Sequence, residues 1–244
     1  VYDLLKLKTN NVIMPTNEHT VTAKYKCGGP FNSQFKKKDN CWANKVGSWN
    51  VKLGKYVTNG YSGKYAAAMY RSDYGKLNFS AKMKRTGTCP GCANKLIVRG
   101  TPKGLDSYGI WKNEYMFQYS NYGGFSIYKS VNGTVYALIP WTYTSHVVPF
   151  GWNTLQVKMN GTNLAFYING SLVAYGSDAS LGKGKVGLAM YTAPGSSGQL
   201  LVDWAKLNLK VTATAEDLTG VPVFSVGTPG GDYQLSPNFL KYGE

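Results

Sequence analysis

Apolar and polar residues alternate along much of the chain after residue 48, and this alternation predicts β-strands. The clearest single case is residues 76–85, in which every second residue is apolar: Leu77, Phe79, Ala81 and Met83. Such a two-residue period is typical of a strand with one face on a core and one in water. Residues 115–119 and 125–128 predict a hairpin across the Gly-rich segment 121–124.

Asn-Gly dipeptides divide the following region into further hairpins. Asn160-Gly161 and Asn169-Gly170 separate three alternating segments within residues 152–175, which predicts a three-stranded antiparallel meander. Residues 184–191 and 200–209 predict two more strands. Only residues 178–181 predict a helical turn.

This succession of short strands predicts an all-β fold, because tight turns between half-buried strands bring two apolar faces together. We expect a two-sheet antiparallel sandwich over residues 45–210. Residues 1–44 then form an N-terminal extension with a basic loop closed by cysteines, and residues 211–244 form a C-terminal extension. Neither extension is long enough for a core of its own, so each is expected to wrap the sandwich or to reach another molecule.

The chain is strongly basic, with 27 Lys and Arg against 12 Asp and Glu and a formal net charge of +15. Its only arginines are Arg71, Arg85 and Arg99. Proteins that read bases rely on arginine, and no helix-turn-helix, zinc-finger or RRM motif is present, so specific nucleic-acid binding is not predicted. The charge predicts attraction to acidic glycans or other anionic polymers, and a lysine surface kept for solubility explains it equally well. No apolar stretch is long enough to span a membrane.

Four cysteines are present, of which Cys89 and Cys92 have the CxxC spacing of zinc sites and redox motifs. Zinc would need two further ligands, and Cys27 and Cys41 are too far apart in sequence for a second knuckle. A redox motif would need a βαβ context, which is absent. We therefore favour two local disulfides, Cys27–Cys41 and Cys89–Cys92, in a secreted protein. Four glycosylation sequons are compatible with secretion: Asn78, Asn132, Asn160 and Asn169.

Six short segments follow one another in an order that is known from other proteins: residues 47–51, 115–118, 151–157, 166–170, 184–188 and 202–204. This series resembles the concanavalin A-like/laminin-G superfamily, and it is nearest to bacterial laminin-G-like (3-keto-disaccharide-hydrolase-like) domains. The resemblance implies a jelly roll whose concave face and rim loops bind glycans by stacking on exposed aromatic rings. The superfamily includes lectins, carbohydrate-binding modules, glycosidases, polysaccharide lyases and adhesion modules, so the implied function is broad.

Several aromatic residues lie in turn-rich segments and are candidates for such a binding site. Trp141 begins a polar, aromatic segment, and Tyr119 and Tyr122 flank a turn. The full set of candidate ligand-binding residues is Trp141, Tyr143, His146, Trp111, Tyr119, Tyr122 and Gln118. The alternative is that these rings cover the ends of the core. Three other tryptophans begin or lie within strands, and we assign them to the core or its edges: Trp49, Trp152 and Trp204.

Catalysis is the less favoured interpretation. Retaining glycosidases of this fold carry an E-x-D-x-E strand that holds acid and nucleophile ~5 Å apart, and the chain has no such motif. A lyase could recruit His146 and Tyr143 as base and acid, with Gln118 and Arg71 neutralising a uronate, but the Q-[IV]-H motif of alginate lyases is absent. No catalytic residue or cofactor is therefore predicted. Calcium is compatible with backbone carbonyls, yet no Asp cluster indicates it.

The sequence thus favours an extracellular β-sandwich that binds a polysaccharide or matrix polymer. One alternative is a self-assembling subunit of a filament or surface layer. In that case an apolar strand, Val221–Val226 or Val12–Met14, would complete the sheet of a neighbouring molecule. The other alternative is a polysaccharide lyase or glycoside hydrolase.

Overall fold

The computed structural model describes residues 27–212, 218–226 and 233–234. These residues form two β-sheets packed face to face and contain no α-helix. The predicted all-β sandwich is therefore confirmed. No helix of the described residues is long and apolar enough to cross a membrane.

One sheet has nine strands: β1 (Phe31–Ser33), β3 (Trp49–Lys52), β4 (Lys55–Thr58), β6 (Leu77–Arg85), β11 (Asn153–Asn160), β12 (Asn163–Ile168), β13 (Ser171–Asp178), β15 (Leu200–Asn208) and β16 (Val223–Val226). Their order across the sheet is β16-β13-β12-β11-β6-β15-β4-β3, with β1 also paired to β15. Only β16 runs parallel to its neighbour, β13.

The other sheet has eight strands: β2 (Trp42–Val46), β5 (Tyr65–Tyr74), β7 (Asn94–Thr101), β8 (Asn113–Tyr119), β9 (Gly124–Val131), β10 (Thr134–Tyr143), β14 (Gly184–Tyr191) and β17 (Tyr233–Gln234). Their order is β17-β10-β9-β8-β7-β14-β5-β2. All of these pairs are antiparallel.

The predicted Asn-Gly turns connect neighbouring strands. Asn169 and Gly170 have φ of 51° and 89°, the positive values that a type I′ turn requires, and they join β12 to β13. The meander of β11, β12 and β13 forms as predicted. The helical turn predicted for residues 178–181 is wrong: Asp178 ends β13, and its carboxylate is engaged by Lys129 and by the N–H of Ser180.

The main core lies between the sheets and follows the alternation of the sequence. Phe79, Leu155 and Phe166 are fully buried there, and Trp49, predicted to be a core residue, is 3% exposed. Trp204, which the sequence assigned to the core or its edges, does not lie in the core. A register irregularity between Val202 and Trp204 in β15 turns this ring to the outer face, where it lies opposite Lys82. Trp152 also lies on that face, beneath the ammonium groups of Lys55 and Lys82.

The segments that flank residues 45–210 contribute strands to both sheets. Phe35 and Trp42 are buried in the core, and β1 pairs with β15. At the other end of the chain, Val221–Val226 contains β16, which pairs with β13 of the same molecule. The structure thus pairs this strand with its own sheet. The other segment considered for strand donation, Val12–Met14, lies outside the described residues.

Candidate functional site

The structure contains both predicted disulfides, and the described residues include no free cysteine. Cys27–Cys41 closes the basic loop before β2, and Cys89–Cys92 closes a turn between β6 and β7. Because both pairs are bonded, the CxxC segment is not a zinc site in this structure.

Two connections meet at one end of the eight-stranded sheet. The turn between β8 and β9 contacts the loop between β10 and β11, and the Thr144 N–H donates to the Gly123 carbonyl over 2.8 Å. Tyr143 is 72% exposed. Its ring lies over Gly123, where a Cβ atom would be only 2.6 Å from the ring. Gly123 also has φ of 90°, so a glycine is needed here for both space and backbone conformation.

The loop between β10 and β11 is held in place by side-chain amides. Asn153 accepts from the Val148 N–H over 2.8 Å and donates to the Val148 carbonyl over 2.9 Å. Asn169 donates to the His146 carbonyl over 2.8 Å. The loop therefore presents its side chains from a defined backbone, although it lies at the surface.

We call the aromatic side chains at this end the aromatic rim: Tyr122, Trp141, Tyr143, His146 and Phe150. Trp141 is half-buried, and its ring packs against a second core cluster, which includes Trp111 and Met116. Tyr122 and Phe150 meet edge to face with ring centroids 5.4 Å apart, and Phe150 is 42% exposed. Four of the predicted ligand-binding residues thus lie at this end, and two of them, Tyr122 and Tyr143, lie side by side at the β8–β9 turn. Phe150 was missed by the sequence interpretation, although an apolar ring between Pro149 and Gly151 in a loop is a signal of exposure.

Three other candidates are buried and cannot contact a ligand in this structure: Trp111, Tyr119 and Gln118. Trp111 packs flat on two strands, and a Cβ atom at Gly100 or Gly187 would be 2.5 or 3.1 Å from its ring. Tyr119 turns inward toward the Met83 carbonyl of the opposite sheet. Their burial corrects the expectation that irregular sequence around Trp111, or the turn beside Tyr119, leaves these rings exposed.

Loop 102–112, which carries Trp111, covers part of the outer face of the eight-stranded sheet, where β7 and β8 are buried on both sides. Beneath it Lys95 and Glu114 form an ion pair of 2.8 Å with both side chains at 0% exposure. The Lys95 ammonium also lies 3.8 Å from the centroid of the Tyr65 ring. Burial raises the pKa of the Glu114 carboxyl and lowers the pKa of the Lys95 ammonium, while their mutual attraction opposes both shifts.

The outward residues of β8 show what chemistry this face can support. Glu114, Met116 and Gln118 are alternate residues of β8, with the spacing of the three acids in an E-x-D-x-E motif. Only Glu114 is a carboxylate, and it is paired with Lys95. Gln118 is satisfied by the Tyr65 hydroxyl, which donates over 2.7 Å, and by the Ser126 hydroxyl, which accepts over 2.9 Å. This strand therefore lacks the acid and nucleophile pair of a retaining glycosidase.

The residues considered for a lyase are not assembled into one site. Tyr143 and His146 lie on the rim, Gln118 is buried, and Arg71 lies on β5, five strands from β10. At a strand spacing of ~4.8 Å this separation is about 24 Å. The described residues also contain no group of three or more His, Cys, Asp or Glu side chains that could hold a metal ion.

A second surface feature is a groove of about 830 Å³ between the Cys27–Cys41 loop and strands β2, β3 and β4. Its lining includes exposed Lys37 and Lys38 together with Trp42 and Trp49, whose rings are buried. The loop is fastened by Asp39, which accepts from the Cys41 N–H and the Ser33 hydroxyl. Because its rings are buried, this groove offers charge and shape but little open aromatic surface.

The two packed sheets form a jelly-roll sandwich. No protein-family model and no curated protein matches the sequence. Among solved structures, a β-glucanase of Bacillus licheniformis is similar with a TM-score of 0.61 and 13% identity over 75% of this chain and 99% of that one. The carbohydrate-binding module CBM66 of Bacillus subtilis is similar with a TM-score of 0.53 and 15% identity, covering 66% of this chain and 91% of its own.

A third similar structure is a β-1,3-1,4-glucanase (lichenase) derived from a mouse hindgut metagenome, with a TM-score of 0.56 and 14% identity. The match covers 75% of this chain and all, 100%, of that one. At such identities the likeness establishes the fold. What the chain binds must be argued from its own residues.

Proposed function

We propose that this domain is an extracellular glycan-binding module that holds a polysaccharide at its aromatic rim. The observation that carries the proposal is the position of Tyr143, which is 72% exposed and rests on Gly123 beside Tyr122 and Phe150. A monomeric domain has no packing reason to expose such rings together. Sugars present apolar faces that stack on exposed rings, and nearby polar groups bind their hydroxyls.

Other features support the same proposal. The two disulfides fit an oxidising compartment, which is where extracellular polysaccharides are met. A carbohydrate-binding module and glucanases share the fold. The sequence also resembles the laminin-G-like branch of a superfamily that includes adhesion modules, and this resemblance supports binding to a matrix polymer. Because β8 has one carboxylate where a glycosidase would need two, binding without hydrolysis is the better supported activity.

Tyr143→Ala tests the rim directly. We expect this variant to bind its glycans about 5- to 30-fold more weakly, because loss of one stacking ring costs about 1–2 kcal/mol. Its melting temperature should stay close to that of the parent, since the ring is mostly in solvent. Binding should be measured first on a glycan array and then by calorimetry with the best soluble glycan.

Tyr61→Ala is the matched control. Tyr61 is 49% exposed and precedes β5, which is five strands from β10 in the same sheet. The Tyr61→Ala variant removes the same type of side chain at a distance of about 24 Å from the rim. Equal losses in the two variants, or no loss in Tyr143→Ala, would remove the rim as the binding site.

A further inference from the structure

The outer face of the nine-stranded sheet, which is turned away from the core, carries an ordered set of lysines. Lys82 on β6, Lys158 on β11 and Lys206 on β15 all point outward from neighbouring strands. In cross-strand register, Lys206 pairs with Ser80, Ser80 with Gln156, and Lys158 with Asn78. These side chains therefore share one face of three adjacent strands.

Each of these lysines is held over an aromatic ring. The ammonium of Lys158 lies 4.4 Å from the centroid of Tyr167, that of Lys206 lies 4.8 Å from Trp204, and that of Lys82 lies 5.6 Å from Trp152. We call these six residues the lysine face. A cation–π contact restrains a long side chain that would otherwise lose rotamer freedom on binding. The ammonium groups are thus already placed for a ligand.

The face is nearly free of opposing charge. Among the described residues, Asp203 is the only carboxylate on the outward side of this sheet, and it lies 2.6 Å from Lys55 and 3.6 Å from Lys82. Hydrogen bonding from Lys55 is the main cause that holds the pKa of Asp203 below its ordinary value. One carboxylate cannot neutralise the lysines on this surface, so the face attracts anions.

The spacing of the lysines indicates a polymeric ligand. Strand geometry places their Cα atoms about 8 to 14 Å apart. A single small anion cannot contact three ammonium groups that are each fixed over a separate ring. A chain with repeated anionic groups can contact all three.

The chemistry of the face favours a polysaccharide over a nucleic acid. No arginine lies on it, because Arg85 and Arg99 are buried and Arg71 belongs to the other sheet. Single-stranded nucleic acids gain much of their affinity by stacking bases on open rings, and here lysines lie over the rings. We propose that the lysine face is a second binding surface, which takes an acidic polysaccharide bearing sulfate or carboxylate groups.

The test compares two triple variants of the full chain that remove the same charge. Lys82→Gln/Lys158→Gln/Lys206→Gln removes the lysine face. Lys76→Gln/Lys103→Gln/Lys183→Gln removes three exposed lysines that lie in turns and loops outside this face. Binding to heparin and to polygalacturonate is measured by calorimetry over a range of salt concentrations, and melting temperature is recorded for each variant.

We expect the first triple variant to bind at least 10-fold more weakly and with a shallower salt dependence, and the second to lose less than 3-fold. Equal losses would show a diffuse field and overturn the proposal, as would unchanged binding in both variants. Tighter binding of single-stranded RNA than of heparin would also overturn it, in favour of a nucleic-acid surface. Tyr143→Ala should leave heparin binding unchanged, so failure of the rim and failure of the lysine face are separate results.

Discussion

At the scale of single residues, Lys95 and Glu114 form an ion pair that is closed to solvent. Both side chains are fully buried, and the second carboxylate oxygen of Glu114 has no hydrogen-bond partner. Asp106, the other carboxylate that acts on Glu114, is engaged by the N–H groups of Tyr108 and Ile110 in its own loop. This arrangement is structural, since the ammonium and the carboxylate face each other and are closed to solvent.

Glu114→Gln should therefore destabilise the protein by about 3–5 kcal/mol, because it leaves the Lys95 ammonium buried without its counter-charge. The double variant Lys95→Met/Glu114→Leu should recover most of this loss, since apolar residues of similar size replace buried ion pairs at little cost. Chemical denaturation measures both. If the double variant is as unstable as Glu114→Gln, the loss of stability comes from losing the ion pair itself and not from leaving one buried charge unpaired.

Asp178 gives the stability a pH dependence of known sign. Burial alone would raise the pKa of this carboxyl, but hydrogen bonds from Ser180 and the ammonium of Lys129 at 2.9 Å outweigh it, and the pKa is lowered. A carboxyl with a lowered pKa in the folded state stabilises that state above its unfolded pKa of about 3.9, and the contribution is lost as pH falls. Stability should therefore decrease as pH falls below about 4.

Asp178→Asn tests this assignment. At pH 7 it should cost about 3 kcal/mol, because Lys129 loses its buried partner, and the difference from the parent should narrow between about pH 5 and pH 2. Asp73→Asn is the control, since Asp73 pairs with Lys185 while its side chain is 52% exposed. A constant difference at all pH values would show that Asp178 acts through packing and not through its charge.

At the scale of elements, strand β16 forms one edge of the nine-stranded sheet. Gly176 lies opposite Phe224 in the parallel pair, and a Cβ atom on Gly176 would fall 2.4 Å from the Phe224 carbonyl oxygen. Phe224 is 9% exposed and packs on Phe166. The strand therefore seals the edge of β13 and contributes a ring to the core.

Gly176→Val should displace β16 and lower the stability by about 3 kcal/mol, similar to the expected cost of Phe224→Ala. The two changes together should cost little more than either alone, because they remove the same contact.

A chain that ends at Lys210 should expose the edge of β13 and associate, which light scattering detects. A monomeric truncated chain with an unchanged melting temperature would show that β16 is not part of the domain.

The elements were more predictable from the sequence than the surfaces. Alternation and Asn-Gly turns were sufficient for the meander, since residues 153–160 have one buried and one partly exposed face. They were insufficient for the outer face of the eight-stranded sheet, because β7, β8 and β9 are buried on both sides and alternation no longer marks the inner face. Gly100 and Gly187 within strands were the available signal that Trp111 packs on them.

Trp204 shows a second limit of the sequence pattern. The irregularity in β15 changes the face of every residue after it, and no turn residue or proline marks its position. Reading on from Val202 with a two-residue period assigns Trp204 to the core, whereas the bulge places it under Lys206 on the outer face. The lysine face was therefore not visible in the sequence.

At the scale of the whole molecule, the distribution of charge gives the two proposed surfaces different chemistry. The described carboxylates Glu114, Asp178, Asp203 and Asp73 each pair with a lysine. Most of the described lysines therefore have no carboxylate partner and give the surface a positive potential. On the nine-stranded sheet, Lys82, Lys158 and Lys206 lie over aromatic rings. The rim, in contrast, presents mainly uncharged aromatic groups. We therefore expect salt to weaken binding at the lysine face and to leave binding at the aromatic rim unchanged.

A glycan array probed with the full chain at about 50 mM and about 500 mM NaCl tests the central claim most directly. The account predicts a set of glycans that stays bound at high salt and is lost in Tyr143→Ala, beside acidic glycans whose signal falls with salt. Absence of any glycan retained at high salt would contradict a glycan-binding rim. So would retention of the same glycans, at equal strength, by Tyr143→Ala.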